Sequence, residues 1–264
     1  MARYFIIIIL FLFSCEAIED PVRNNPLDPE NPDYLGPQID YISISDGEII
    51  NSDYVNITWE GSEIVSEYLY SLDDTIGGLE WKNFNTVGYS NLSEWDHVFK
   101  IQVRSEIGDT SETSIINFEV NAIQGPALML YPQDLYIQYP GTATFEVIAD
   151  DVENLAGVEF TLYCNSNLIN ITNIREGSAI STVEESFFFY EEVSSTQTHV
   201  IIAVMGENNP SISGSRLVLA EVTIESQGYF VDAPINLWYG KFRDPFNNEI
   251  EINETLSLTI HFGD

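Results

Sequence analysis

The stretch "VEFTLYC", residues 158–164, decides the fold class of this chain because its side chains alternate in polarity. In an extended segment one face carries Val158, Phe160, Leu162 and Cys164, and the other carries Glu159, Thr161 and Tyr163. Successive side chains of a β-strand point to opposite sides of a sheet, so the pattern predicts a strand with one buried face. We expect Cys164 to pack on that face as a small hydrophobic side chain, and not to act as a reactive or metal-binding thiol.

The same period of two recurs along most of the chain. It is clear in "YVNITWEG" (54–61), "HVFKIQVRS" (97–105) and "SIINFEVN" (114–121), and no stretch of comparable length has a helical period. Short alternating strands separated by Gly, Asn and Asp are typical of β-sandwiches. The pattern restarts at "GPAL" (125–128), which places a domain boundary near Ile123. The sequence therefore predicts an all-β fold with two β-sandwich domains, residues 38–123 and 124–264.

The first residues differ from everything after them. An apolar run from Phe5 to Phe13 is too short to span a membrane but fits a secretory signal, which we place at residues 1–14. The run ends in Leu12-Phe13-Ser14-Cys15, which resembles the lipobox of bacterial lipoproteins. The resemblance implies that Cys15 is lipidated, that the protein is anchored to a membrane and that Cys15 and Cys164 are not bridged. Glu16 after the cysteine favours the outer membrane or the cell surface. The alternative is an ordinary signal peptide with an incidental cysteine.

The segment after Cys15 is rich in proline and acid. It reads "EAIEDPVRNNPLDPENPDYLGPQ" (16–38), and such a composition favours an extended chain without a core of its own. We therefore assign residues 15–37 to a lipidated tether that holds the folded domains away from the membrane.

The charge balance of the chain excludes one class of partner. The 264 residues contain 9 Lys and Arg against 42 Asp and Glu, a formal net charge of −33, and such a surface repels phosphate backbones. We therefore expect no nucleic acid partner. The simplest interpretation of the excess is a solvated acidic surface. Calcium is the one cofactor for which the sequence offers ligands, at two acidic turns. These turns contain Asp150 and Asp151 in "ADDVEN" and Asp244 and Asn248 in "RDPFNNE", although turn chemistry alone also explains them.

The first domain resembles fibronectin type III and immunoglobulin-like modules of bacterial surface proteins. The resemblance lies in "YLYSLDD" (68–74), Trp81, "NLSEWDHVFKIQVRSEIGD" (91–109) and "INFEVN" (116–121). Most such modules are spacers and some recognise ligands, and both roles stay open here.

The second domain resembles cohesins, the jelly-roll β-sandwiches of scaffoldins that bind dockerin modules. The matching segments are "TATFEVIADDVENLAGVEFTLYCNSNL" (142–168), "VIIAVMG" (200–206), "SGSRLVLAEVTIES" (213–226) and "LWYGKFRDPFNNEIEI" (237–252). The resemblance implies a dockerin-like protein partner on the polar face of the central strand. Gly157 and Glu159 match the polar contact positions of the family, and Thr161 continues the same face.

An aromatic run, "SFFFYEE" (186–192), could extend this binding surface. Core packing of the run is the simpler interpretation. Otherwise one alternating pair, Phe187 with Phe189 or Phe188 with Tyr190, is open to a partner or to a sugar ring. The same ambiguity applies to Trp238 and Tyr239.

Catalysis has little support in the sequence. His97, His199 and His261 are scattered, and no catalytic or phosphate-binding motif is present. We therefore predict a surface lipoprotein that is not an enzyme and that binds a dockerin-like partner, within a polysaccharide-handling assembly. The alternatives are a carbohydrate-binding module, which would recognise polysaccharide directly, and a structural spacer or adhesion protein without a specific ligand.

Overall fold

The computed structural model describes residues 25, 28–74, 76–165, 167–228 and 232–263. In these residues nearly all regular structure is β-strand, and the single helix is α1 (Ser178–Ser181). This confirms the predicted all-β fold. None of the described helical structure has the length and apolar character of a membrane-crossing segment. The signal, the lipidation residue Cys15 and most of the tether lie outside the described residues.

Residues 38–123, the predicted first domain, contain two sheets. The smaller sheet has the order β1 (Ile39–Ile42), β3 (Val55–Gly61) and β5 (Thr86–Tyr89). The larger has the order β2 (Glu48–Ile50), β7 (Ser114–Val120), β6 (Trp95–Ser105) and β4 (Val65–Leu72). All neighbours are antiparallel except β2 and β7, which are parallel.

The core between these sheets is centred on Trp59, which is fully buried. Its ring lies 4.8 Å from that of Tyr70 and 5.8 Å from that of Phe99, measured between ring centroids. Trp59 and Phe99 both occupy the face that the alternating sequence predicts to be buried. Burial of such large rings is the main source of stability for a sandwich of this size.

Residues 124–264, the predicted second domain, contain a five-stranded sheet and a larger one. The five-stranded sheet has the order β13 (Ile169–Glu176), β17 (Leu217–Ser226), β10 (Thr142–Asp150), β8 (Ala127–Tyr131) and β20 (Glu254–Leu256). The larger sheet has the order β14 (Glu185–Ser194), β15 (Gln197–Met205), β12 (Gly157–Tyr163), β18 (Ala233–Arg243), β21 (Leu258–Gly263) and β9 (Asp134–Gln138). The short strand β19 (Glu249–Ile250) pairs with β18, and β11 (Val152–Leu155) pairs with β16 (Ile212–Gly214).

Strand β12 lies in the middle of the larger sheet, between β15 and β18. The inward side chains of Val158, Phe160 and Leu162 are buried in the main core of the second domain, and Cys164 follows them there. Cys164 is a free thiol, and its burial raises the pKa of that thiol. The predicted packing of this cysteine as a hydrophobic side chain is therefore confirmed.

The two domains share a small hydrophobic cluster. It contains Trp95 from the first domain, Ile123 from the connection and, from the second domain, Ala127, Met129, Ile148 and Val218. The Arg216 guanidinium carbon lies 4.7 Å from the centre of the Trp95 ring, a cation–π contact across the junction. The junction is therefore a packed interface.

The end of the predicted tether also contacts the first domain. Asn31 and Pro37 are buried, and the Tyr34 hydroxyl donates a hydrogen bond to the Asp109 carboxylate at 2.9 Å. Residues 15–37 are predicted to be an extended tether, and the described end of this segment is partly packed: Asn31 and Pro37 are buried, whereas Leu35 is 72% exposed.

Candidate functional site

The outward face of the larger sheet is the candidate site. We use this name for the outward side chains of four neighbouring strands. They are Phe187 and Phe189 of β14, His199, Ile201 and Ala203 of β15, Gly157, Glu159, Thr161 and Tyr163 of β12, and Trp238 and Lys241 of β18. The described residues do not include another sheet that covers this face.

Strand register arranges these side chains in rows that run across the sheet. One row joins Phe189, Ile201 and Glu159, which lie opposite one another on β14, β15 and β12. Phe187 and Phe189 are 45% and 42% exposed, and their rings stand parallel with centroids 6.4 Å apart. Two large apolar rings are therefore presented to solvent at one edge of the face.

A neighbouring row creates a hollow next to these rings. This row crosses β14, β15, β12 and β18 and consists of Phe187, Ala203, Gly157 and Arg243, in that order. Because the two central positions carry almost no side chain, the face is concave here, and a cavity of about 580 Å³ opens along it. A β-carbon on Gly157 would lie 3.1 Å from that of Arg243, so the glycine keeps the hollow open.

A stacked aromatic pair lies at the opposite end of β12 from the hollow. The rings of Tyr163 and Trp238 are 4.8 Å apart and 6° from parallel, and Trp238 is 43% exposed. A bulge in β18 follows, where Tyr239 has a φ of 54° and is 74% exposed. The extra residue lets Trp238 and Lys241 both project outward although they are three positions apart.

Glu159 is the electrostatic centre of the face. Its carboxylate oxygens lie 3.6 Å from His199 Nε2 and 3.7 Å from Lys241 Nζ. The Thr161 hydroxyl and His199 Nδ1 are hydrogen-bonded at 3.1 Å. The chain has only 9 Lys and Arg in all, so a lysine on this face is a marked local feature.

The structure brings all five predicted contact residues onto one surface. Gly157, Glu159, Thr161, Phe187 and Phe189 all belong to the outward face, although Thr161 is only 8% exposed. It also resolves the aromatic run. Phe188 packs against the core, whereas Phe187, Phe189 and also Tyr190 are exposed, so core packing of the whole run is wrong. Phe187 and Phe189 are the pair on the outward face.

Sequence reasoning missed two polar members of the face. His199 and Lys241 reach it only because β15 and β18 pair with β12. Alternation within a strand predicts which of its side chains share a face. The local sequence does not predict how neighbouring strands are aligned with each other.

The two predicted calcium turns lie in different places: Asp150 ends β10 of the five-stranded sheet, whereas Asp244 lines the hollow beside Gly157. The aspartates of both turns are engaged in local contacts. Asp150 is buried and accepts a hydrogen bond from the Arg216 backbone N–H at 2.7 Å. The Asp244 carboxylate accepts hydrogen bonds from the Asn248 side-chain amide and from the backbone N–H groups of Asn248 and Phe246, and these bonds lower the pKa of its carboxyl. Asp151 occupies a turn with a φ of 48°. Across the described residues, no three acidic, histidine or cysteine side chains are grouped to hold a metal. Calcium at these turns stays a prediction.

The three histidines lie in three different environments. His97 is buried in the first domain, with Nδ1 2.7 Å from Asp73 and Nε2 2.8 Å from the Ser93 carbonyl oxygen. Burial lowers the pKa of His97, but these two hydrogen bonds outweigh it and leave that pKa raised. His261 lies on β21 between two aspartates, and His199 belongs to the outward face.

Comparison with known proteins adds information on the fold alone. No protein-family model and no curated protein matches this chain. Similar solved structures include a non-cellulosomal cohesin from the archaeon Archaeoglobus fulgidus, at 18% identity and a TM-score of 0.44, covering 52% of this chain and 91% of that one.

Two further similar structures are cohesin–dockerin complexes. The sixth cohesin of Acetivibrio cellulolyticus scaffoldin B, in complex with a Cel5 dockerin mutant, has 12% identity and a TM-score of 0.46, covering 53% of this chain and 100% of that one. A type I cohesin–dockerin complex of Clostridium thermocellum, OlpC with Doc435, has 14% identity and a TM-score of 0.44, covering 53% of this chain and 97% of that one. These similar structures are all cohesin modules, and each covers about half of this chain.

Proposed function

We propose that this protein is a noncatalytic binding protein whose outward face docks a partner protein. One observation carries the proposal: Phe187 and Phe189 are exposed beside a hollow of about 580 Å³ on an uncovered sheet. Exposed aromatic rings next to a pocket are typical of the centre of a protein interface, where a few large side chains provide most of the binding energy.

The stacking of the rings favours a protein over a sugar. The rings of Tyr163 and Trp238 are 4.8 Å apart and 6° from parallel, so each ring covers one face of the other. A sugar ring stacks on an open aromatic face, and this pair leaves fewer such faces free. Side chains of a partner protein can instead fill the hollow.

The partner that we propose is a dockerin-like module. The support is the sequence resemblance of residues 124–264 to cohesins, together with the placement of Glu159 and Gly157 on the outward face. Glu159 supplies a carboxylate acceptor, and Lys241 beside it supplies a donor. Gly157 lacks the side chain that the family has there, so we expect a partner that fills the hollow with a bulky apolar group.

We propose that this face lies outside the cell, and the support is the sequence of the remaining segments. In the proposal, Cys15 carries the lipid anchor, the proline-rich tether spans the surface layer and the first domain serves as a spacer. The setting is an outer membrane or cell surface where polysaccharide is handled.

The test measures binding of purified dockerin modules to the mature chain by biolayer interferometry. We expect Phe187→Ala with Phe189→Ala to weaken binding at least 10-fold, because hot-spot rings are worth about 2 kcal/mol or more each. The matched control is Phe84→Ala, which removes a 63% exposed ring from the first domain. Equal binding by both variants would refute the site, and no binding by the wild-type chain to any dockerin would refute the partner class.

A carbohydrate-binding role is the second candidate, because Trp238 and Tyr239 are 43% and 74% exposed. A glycan array with the mature chain separates it from protein docking. Glycan binding that Trp238→Ala abolishes and the Phe187 and Phe189 variant retains would favour this alternative.

A further inference from the structure

A second cavity lies where the two domains meet, away from the outward face. Its volume is about 420 Å³. The first domain contributes Asp53, Asn91 and Glu94, the connection contributes Ala122 and Ile123, and the second domain contributes Gln133, Asp134 and Glu254. Oxygen-bearing side chains from both domains therefore face one space, and no Lys or Arg lines it.

Glu94 is the unusual member of this cavity. Its side chain is 97% buried, since only 3% of the residue is exposed. Oε1 accepts hydrogen bonds from the backbone N–H groups of Ala122 at 2.9 Å and Ile123 at 3.1 Å. Oε2 is buried and has no hydrogen-bond partner. A buried carboxylate oxygen without a donor or a cation is costly, so this atom points to a missing positive group.

The surroundings of Glu94 add negative charge. Burial raises the pKa of its carboxyl, and so do the nearby Asp150 and Glu254, while the two backbone hydrogen bonds oppose this effect. Asp134 also lines the cavity, but it is hydrogen-bonded to His261 at 2.7 Å and is less available. The exposed carboxylates of Asp53 and Glu254 are free to turn toward Glu94.

We propose that a calcium ion binds in this cavity, with Oε2 of Glu94 as its fixed ligand and with Asp53 and Glu254 as mobile ones. Calcium accepts six to eight oxygen ligands in flexible geometry, and the amide oxygens of Asn91 and Gln133 and water complete such a set. Magnesium requires stricter octahedral geometry, which mobile ligands from separate loops supply poorly.

The affinity should be modest. In the described part of the chain the acidic groups are not already gathered at metal-binding distance, so the exposed side chains must move when the ion binds. Extracellular calcium modules with loose sites have dissociation constants of about 10⁻⁴ to 10⁻³ M. Because Asp53 and Glu94 belong to one domain and Glu254 to the other, the ion would tie the two domains together.

The experiment follows the melting temperature of the mature two-domain chain in 0 to 10 mM CaCl₂, with MgCl₂ as a parallel series. At 10 mM, calcium would be at about ten to twenty times its dissociation constant, and a ligand at that concentration stabilises the folded state. We therefore expect calcium to raise the melting temperature of the wild type by about 5 °C. Magnesium should raise it by less than half as much.

The decisive variant is Glu94→Gln, which keeps the shape of the side chain and the acceptor for both N–H groups but removes the charge. The calcium-induced rise should be lost in this variant and kept in the matched control Glu207→Gln, an exposed turn residue. If Glu94→Gln fails to fold, Glu254→Gln serves in its place, with the same loss expected. The proposal is overturned by no rise in the wild type, by an equal rise with magnesium, or by a rise that survives both substitutions, which would indicate another site.

Discussion

The two faces of strand β12 have opposite environments although they are built from the same seven residues. The inward side chains Phe160 and Leu162 are fully buried, whereas Glu159 and Tyr163 on the outward side remain accessible. The inward face is held by apolar packing and the outward one by a loose network around Glu159. Packing of this kind fixes the fold, while the accessible side chains of the outward face are available to form a binding surface.

The two faces should differ most in how much stability is lost when one aromatic ring is removed from each. Phe160→Ala should lower the free energy of unfolding by about 3–5 kcal/mol, because it leaves a cavity in a close-packed core. Phe189→Ala removes a ring that is 42% exposed, so it should lower the free energy of unfolding by no more than about 1 kcal/mol. Urea unfolding followed by tryptophan fluorescence measures both. Similar costs for the two variants would mean that the outward rings are structural.

Cys164 offers a smaller test of the inward face. Cys164→Ser should cost about 1–3 kcal/mol because it buries a hydroxyl without an assigned partner, and Cys164→Ala should cost less. Since burial also raises the pKa of the thiol, it should react with Ellman's reagent only after denaturation. Rapid reaction in the native protein would contradict the packing described here.

A change of pH should have the smallest effect on stability. This effect should come from a group on the outward side of the sheet. Hydrogen bonds from His261 to Asp134 and Asp232 raise the pKa of this histidine above 6.5, its ordinary value. The stability that the charged ring provides is therefore fully present below pH 6.5 and is lost as the pH rises through the folded-state pKa. We expect a loss of less than about 1 kcal/mol between pH 6 and pH 8.5.

The variant His261→Gln isolates this contribution. Its unfolding free energy should change less between the two pH values than that of the wild type, and an NMR titration of the His261 ring should give a raised pKa. An unchanged pH dependence in His261→Gln would assign the effect to other groups.

Much of the candidate site follows from alternation within single strands. The pattern of residues 158–164 correctly separates Phe160 from Glu159, and the aromatic run contains the pair that proves to be exposed. The sequence could not say whether Phe187 with Phe189 or Phe188 with Tyr190 faces outward, because either choice satisfies a period of two. Only the position of β14 at the edge of the sheet, paired with β15, fixes it.

The bulge at Tyr239 and the burial of Glu94 could not be predicted from the sequence either. Alternation through "LWYGKF" would place Trp238 and Lys241 on opposite faces, and an extra residue at the bulge brings them to the same one. Glu94 looks like one more surface carboxylate among 42 acidic residues, yet the packing of two domains buries it.

The sequence by itself determined that this chain is built from strands, which side chains of each strand are apolar, and that its surface is strongly acidic. These properties are local, since they depend on the order of residues along one strand and on composition. The tertiary structure decided which strands are neighbours, and therefore that Phe187, Glu159, His199 and Lys241 share one face. It also decided which carboxylate lies between the domains. Register and domain packing depend on contacts between residues far apart in the chain, and a single sequence carries no local signal for them.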